Sequence, residues 1–115
     1  MIQANIDESA LESMASLLGE QFADTLRFCC SEFDRLGAEV MATIDTDTEA
    51  AIRHSHSLKS NAAQFGASSL ADMSREIEQS LIYDDLSNAK QVSNNLMDQV
   101  KASQTKLLHW LASNS

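Results

Sequence analysis

The stretch Phe22-Ala23-Asp24-Thr25-Leu26-Arg27-Phe28-Cys29-Cys30-Ser31-Glu32-Phe33-Asp34-Arg35-Leu36-Gly37-Ala38-Glu39-Val40-Met41-Ala42-Thr43-Ile44 decides the fold. Phe22, Leu26, Cys29, Phe33, Leu36, Val40 and Ile44 recur every three or four residues, and the positions between them are largely polar. That period belongs to a long amphipathic helix with one buried stripe. It reads as a helix from about Glu20 to Ile44, with Gly37 tolerated inside it at a small local cost.

The flanks repeat the theme. Upstream, a short helix from Asp7 or Ser9 to Leu18 has Leu11, Met14, Leu17 and Leu18 on its apolar side, and Gly19 stops it. Ser9 with Glu12 has the spacing of a capping box, as do Thr46 and Glu49 before the next helix. That third helix runs to about Phe65. A fourth starts near Ser69 and reaches Ile82, with Leu70, Met73, Ile77 and Leu81 inward. The last is expected from Ser87 to Ala112 on a stripe of Ala89, Val92, Leu96, Val100, Ser103, Leu107 and Trp110. Four long amphipathic helices with short joints pack as antiparallel neighbours. The expected fold is all-α: one domain over residues 1–115, an antiparallel four-helix bundle with a short additional N-terminal helix.

Composition agrees and narrows the function. The 115 residues include no proline and three glycines, so breakers are few. The net charge of −9 repels phosphate backbones and anionic lipid, which argues against nucleic-acid and membrane partners. The opening Met1-Ile2-Gln3-Ala4-Asn5-Ile6-Asp7 lacks the basic and apolar regions of a secretory signal, and no apolar run approaches a bilayer span. Cys29 and Cys30 are neighbours about 100° apart on a helix, badly placed to bond to each other. One buried and one edge thiol in a reducing cytoplasm is the expectation.

The third helix carries the chemistry. At 100° per residue, Ala51, Ser55, Leu58, Ala62 and Phe65 form its core face, and His56 lies nearly opposite. Ile52, Lys59, Ser60 and Ala63 surround His56. Lys59, at i+3, reaches the same point in space as the imidazole. A flat face with an aliphatic group, small neighbours, one nucleophile and one cation suits docking followed by phosphoryl transfer. The chain has no phosphate-cradling glycine loop, so the phosphoryl group must come from another protein. His54 and His56 diverge by about 200° on the helix and cannot share a metal ion, so no metal is expected. His54 sits nearer the core face, with no lysine at i+3.

The segment Ser55-His56-Ser57-Leu58-Lys59-Ser60-Asn61-Ala62-Ala63-Gln64-Phe65-Gly66-Ala67 resembles the signature of histidine phosphotransfer (HPt) domains. It looks especially like the small stand-alone HPt proteins of bacterial quorum-sensing phosphorelays. The resemblance implies that His56 takes and gives the phosphoryl group and that Lys59 stabilises it. It implies a polar side chain from the next helix against the imidazole, which falls at about Glu78 as ring orienter. Ser60 stands where many members have glycine. Gly66 matches the family's glycine near the end of the active helix. The expected docking face is Ile52, Arg53, Ser60, Ala63, Gln64, Gly66 and Arg75, with Arg53 and Arg75 beside Lys59 as a local basic spot that could orient an acidic receiver pocket. The partners implied are the receiver domain of a hybrid sensor kinase and that of a response regulator, with Mg²⁺ on those receivers and no cofactor on this chain. Such a chain is a cytoplasmic, monomeric carrier rather than an enzyme. The competing reading is an acidic helical adaptor or chaperone that binds partners without phosphotransfer.

Overall fold

The computed structural model describes residues 3–114. Its elements are α1 (Glu8–Leu18), a 3-10 turn (Gly19–Gln21), α2 (Phe22–Thr43), α3 (Thr48–Gln64), α4 (Ser68–Ile82), α5 (Leu86–Ser93) and α6 (Leu96–Asn114). No strand occurs among the described residues. The bundle closes in the order α2, α3, α4, α6 and back to α2, so α6 lies diagonally across from α3. Helix α5 leans on α4, and α1 lies against the start of α2. No helix among the described residues is long and apolar enough to cross a membrane.

Most of the stripes read from the sequence form the core, with Met14, Leu18, Met73 and Val92 packed half-buried against it. Every named position on α2 is buried, and so are Ala51, Ser55, Leu58, Ala62 and Phe65 from the α3 segment. Small residues let α3 and α4 approach closely. Ser55 and Ser74 are fully buried, and each hydroxyl donates to a carbonyl of its own helix, Ile52 and Leu70. No polar group is stranded there.

Four expectations need correction. The last helix is broken, and α5 ends at Ser93. The buried Ser93 hydroxyl donates to the Lys90 carbonyl (2.9 Å), and the Asn95 N–H donates to the Val92 carbonyl (3.1 Å) in a tightened turn. A serine beside two asparagines competes with the helical ladder in this way. The apolar stripe continues in register across the break. The caps also differ: Asp7 caps α1 and Asp47 caps α3, while Ser9 and Thr46 cap nothing, and α4 starts at Ser68 without a side-chain cap. Ser69 instead ties the N-terminal segment down, accepting from the Asn5 N–H (2.8 Å) and donating to the Gln99 side chain (2.7 Å). Leu17, placed on the apolar side of α1, is 76% exposed.

The fourth correction is that both cysteines are buried. Helix α2 is gripped on two sides, so positions 100° apart are both covered. The Cys29 thiol faces the Asn61 carbonyl of α3 (3.7 Å), and the Cys30 carbonyl accepts from Gln104 of α6 (2.7 Å). Burial is the main force pushing the thiols up, to about 12 for Cys29 and about 11 for Cys30. Both are therefore protonated and poor nucleophiles at neutral pH. With folded values above the free-thiol value, their contribution to stability is complete below about pH 8.5 and is lost as pH rises through 11 to 12. Iodoacetamide should label neither thiol in the native protein at pH 7.5 and both in urea. Rapid native labelling of either would show that the α2 interfaces open readily.

Candidate functional site

His56 stands on the outer face of α3 with 59% of its side chain exposed. The register of α3 against α4 brings Glu78 opposite it. Glu78 is buried at the base of the site, and its carboxylate is shared by two partners. Oε2 lies 2.7 Å from His56 Nδ1, and Oε1 lies 2.6 Å from Lys59 Nζ. Lys59 reaches it from one turn beyond His56, as i, i+3 spacing allows.

The protonation pattern follows from donor and acceptor counts. Burial would push the Glu78 carboxyl up, but hydrogen bonds from Lys59 and His56, with their charges, outweigh burial and hold it below the usual carboxylate range. Glu78 is therefore ionised at neutral pH and can only accept. His56 Nδ1 must then be the donor, and in the neutral imidazole that tautomer leaves Nε2 as the nitrogen carrying the lone pair. The arrangement is an exposed imidazole with one nitrogen fixed by a carboxylate and an ammonium alongside, which is chemically able to act as a nucleophile.

The other residues singled out from the sequence divide into three groups. Arg53, Ser60, Ala63 and Gln64 are exposed on the same helix as His56, and Ile52 is half-buried beside them. Arg75 is exposed on α4 and paired with Asp72 (2.7 Å). Gly66 does not belong to a docking face: it is buried, with φ +76°, and its carbonyl accepts from the Asp7 N–H (2.7 Å). Its place is to turn the chain from α3 into α4 and to anchor the segment before α1. His54 turns towards α2, with Nε2 3.6 Å from Glu39 Oε2. No group of three or more His, Cys, Asp or Glu among the described residues could hold a metal ion.

One exposed aromatic escaped the periodicity. Phe28 is 65% exposed on α2, just off its buried stripe. It borders a groove of about 330 Å³, walled by Met14 and Leu18 of α1, Glu32 of α2, and Asn61 and Gln64 of α3. The groove opens on the C-terminal half of the helix that carries His56. The signal was present as an aromatic one step off an apolar stripe, but the stripe alone gives it no partner.

The all-α bundle is the fold of histidine phosphotransfer proteins. The structure superposes on histidine-containing phosphotransfer protein B from Pseudomonas aeruginosa PAO1 with a TM-score of 0.88, at 17% identity over 96% of this chain and 97% of that one. The maize histidine-containing phosphotransfer protein ZmHP2 matches with a TM-score of 0.79, at 18% identity over 93% of this chain and 83% of that one. No curated protein matches in sequence at a significant level. The model of the Hpt domain matches residues 8–110, and the chain belongs to the Hpt domain family. That family comprises the histidine phosphotransfer domains of two-component signalling, which exchange phosphoryl groups with receiver domains.

Proposed function

We propose that this chain carries a phosphoryl group on His56 between the receiver of a hybrid sensor kinase and the receiver of a response regulator. The observation that carries the reading is the 2.7 Å contact between Glu78 and Nδ1 of an imidazole whose side chain is 59% exposed. The Nε2 lone pair attacks the phosphorus of a partner's aspartyl phosphate. The N–P bond forms, the P–O bond breaks, and its electron pair leaves with the aspartyl carboxylate. The Nδ1 proton stays in place, so the ring gains positive charge as transfer proceeds. The Glu78 carboxylate faces that charge and stabilises it.

Lys59 is the nearest cation to the phosphoryl oxygens and neutralises part of their charge after transfer. The groove beside Phe28, with Ser60, Ala63 and Gln64, receives the partner. Magnesium belongs to the receivers, and the chain needs no cofactor of its own. A docking face that must stay open suits a cytoplasmic monomer.

The test is to load receiver domains with radiolabelled acetyl phosphate and mix them with the chain. Acid-labile label should move to this protein and map to His56. Binding without label transfer would favour an adaptor, and labelling by ATP alone would favour a kinase.

Glu78→Gln should slow transfer by about tenfold, because an amide can donate to Nδ1 and select the wrong tautomer. The carboxyl of Glu78 lies below its unfolded value, so its contribution to stability is present above about pH 4.3 and is lost as pH falls through the lower folded value. Urea unfolding from pH 7 down to pH 3 should show the wild type converging on the variant. A constant gap, with unchanged transfer, would remove Glu78 from the site's chemistry.

A further inference from the structure

Three basic side chains lie on or near the His56 face, and two of them are already committed. Lys59 is held by Glu78 at 2.6 Å, and Arg75 by Asp72 at 2.7 Å. Arg53 is exposed, three residues before His56 on α3, and its side chain makes no ion pair or hydrogen bond among the described residues. Glu49 is the only carboxylate on α3 and sits one turn before Arg53, yet the two are not paired. The remaining cations do not serve this face. Arg27, Arg35 and Lys90 are paired with Asp24, Glu32 and Asp45. Lys101 and Lys106 are on α6, diagonally across the bundle from α3.

We infer that Arg53 is the partner-selecting contact of the site: the one uncompensated positive charge that draws an acidic, phosphoryl-bearing surface onto His56. The inference rests on the phosphotransfer reading and adds to it what the docking partner must present. A chain of net charge −9 repels an anionic partner over most of its surface. A paired lysine or arginine adds little to the outward field, because its carboxylate cancels it. Arg53 adds a full charge beside the nucleophile.

Its direction separates its role from that of Lys59. Side chains on a helix lean towards the N-terminus, so Lys59 leans back over His56 whereas Arg53 leans away from it. Arg53 therefore meets the rim of the partner, and the phosphoryl group on Nε2 is left to Lys59. Rim charges act on encounter rate and salt dependence rather than on the bond-making step.

The experiment uses a receiver domain that, loaded with acetyl phosphate, phosphorylates the wild-type chain. For Arg53→Glu, the receiver concentration giving half-maximal transfer should rise about tenfold at low ionic strength. The gap should close to about twofold near 0.5 M salt, where screening is nearly complete. The maximal rate at saturating receiver should stay within about twofold, and Arg53→Lys should restore most of the wild-type behaviour. Phosphoramidate labels histidine without a docked protein, so the half-life of the phosphohistidine can be read separately and should match the wild type.

A half-saturation point unmoved by charge reversal overturns the proposal. So does a shortened phosphohistidine half-life, which would put Arg53 on the phosphoryl group instead. A wild-type chain labelled neither by phosphoramidate nor by any receiver overturns the phosphotransfer reading, and this inference with it.

Discussion

His56→Gln is expected to abolish phosphoryl transfer, by on the order of 10³-fold or more, while leaving the bundle intact. Glutamine has no nucleophilic nitrogen, since its amide lone pair is delocalised into the carbonyl. It is a good helix former, and the position is 59% exposed, so neither propensity nor packing suffers. The midpoint of thermal unfolding should move by no more than about 3 °C. No neighbour can take over the chemistry. His54 is directed at Glu39 of α2 and is only 23% exposed. Lys59 remains tied to Glu78, and Cys29 and Cys30 are buried thiols. Phosphate transfer from a labelled receiver, followed by mapping of the labelled residue, reads the result. Label persisting at a substantial rate in the variant would mean that another side chain is the acceptor.

That expectation could be written before any coordinates, because it depends on local periodicity. Placing His56 opposite Leu58 and Ala62 needs only the 100° step of a helix, and the core faces of α2 and α3 are where that step puts them. What depends on three dimensions was less legible. Glu78 could be named only through family resemblance, since its contact with His56 is set by how α4 slides against α3. That Glu78 also holds Lys59 has no sequence signal, because one carboxylate answers two residues of another helix. The caps went to Asp7 and Asp47 because serine, threonine and aspartate compete for the same role within two residues, and backbone direction decides among them. The break at Asn94–Asn95 is invisible to the apolar pattern, which passes through it in register. Gly66 was read as part of a docking surface because its environment depends on the distant N-terminal segment around Asp7.

Gly66→Val is expected to lower stability by about 3 kcal/mol and the unfolding midpoint by roughly 10–15 °C. The residue has φ +76°, where a β-branched side chain is strongly disfavoured. A Cβ there would stand 2.5 Å from the Asp7 carbonyl oxygen, a backbone atom with no rotamer to yield. Relief requires the N-terminal segment to move away. That breaks the bond from the Asp7 N–H to Gly66 O (2.7 Å) and disturbs the residue that caps α1. Because α1 supplies Met14 and Leu18 to the groove beside Phe28, docking should weaken along with stability. The half-life of phosphohistidine should change little, since His56, Glu78 and Lys59 are held between α3 and α4. Gly19 provides the control. It also has positive φ (+57°), but nothing lies within 4 Å of its added Cβ. Gly19→Ala should therefore cost only the backbone strain of its φ +57°, ψ −126° conformation, about 2 kcal/mol. Urea unfolding of both variants separates the two contributions. Equal losses would mean that backbone strain alone sets the cost, and that the contact between Gly66 and Asp7 does not hold α1 against the bundle.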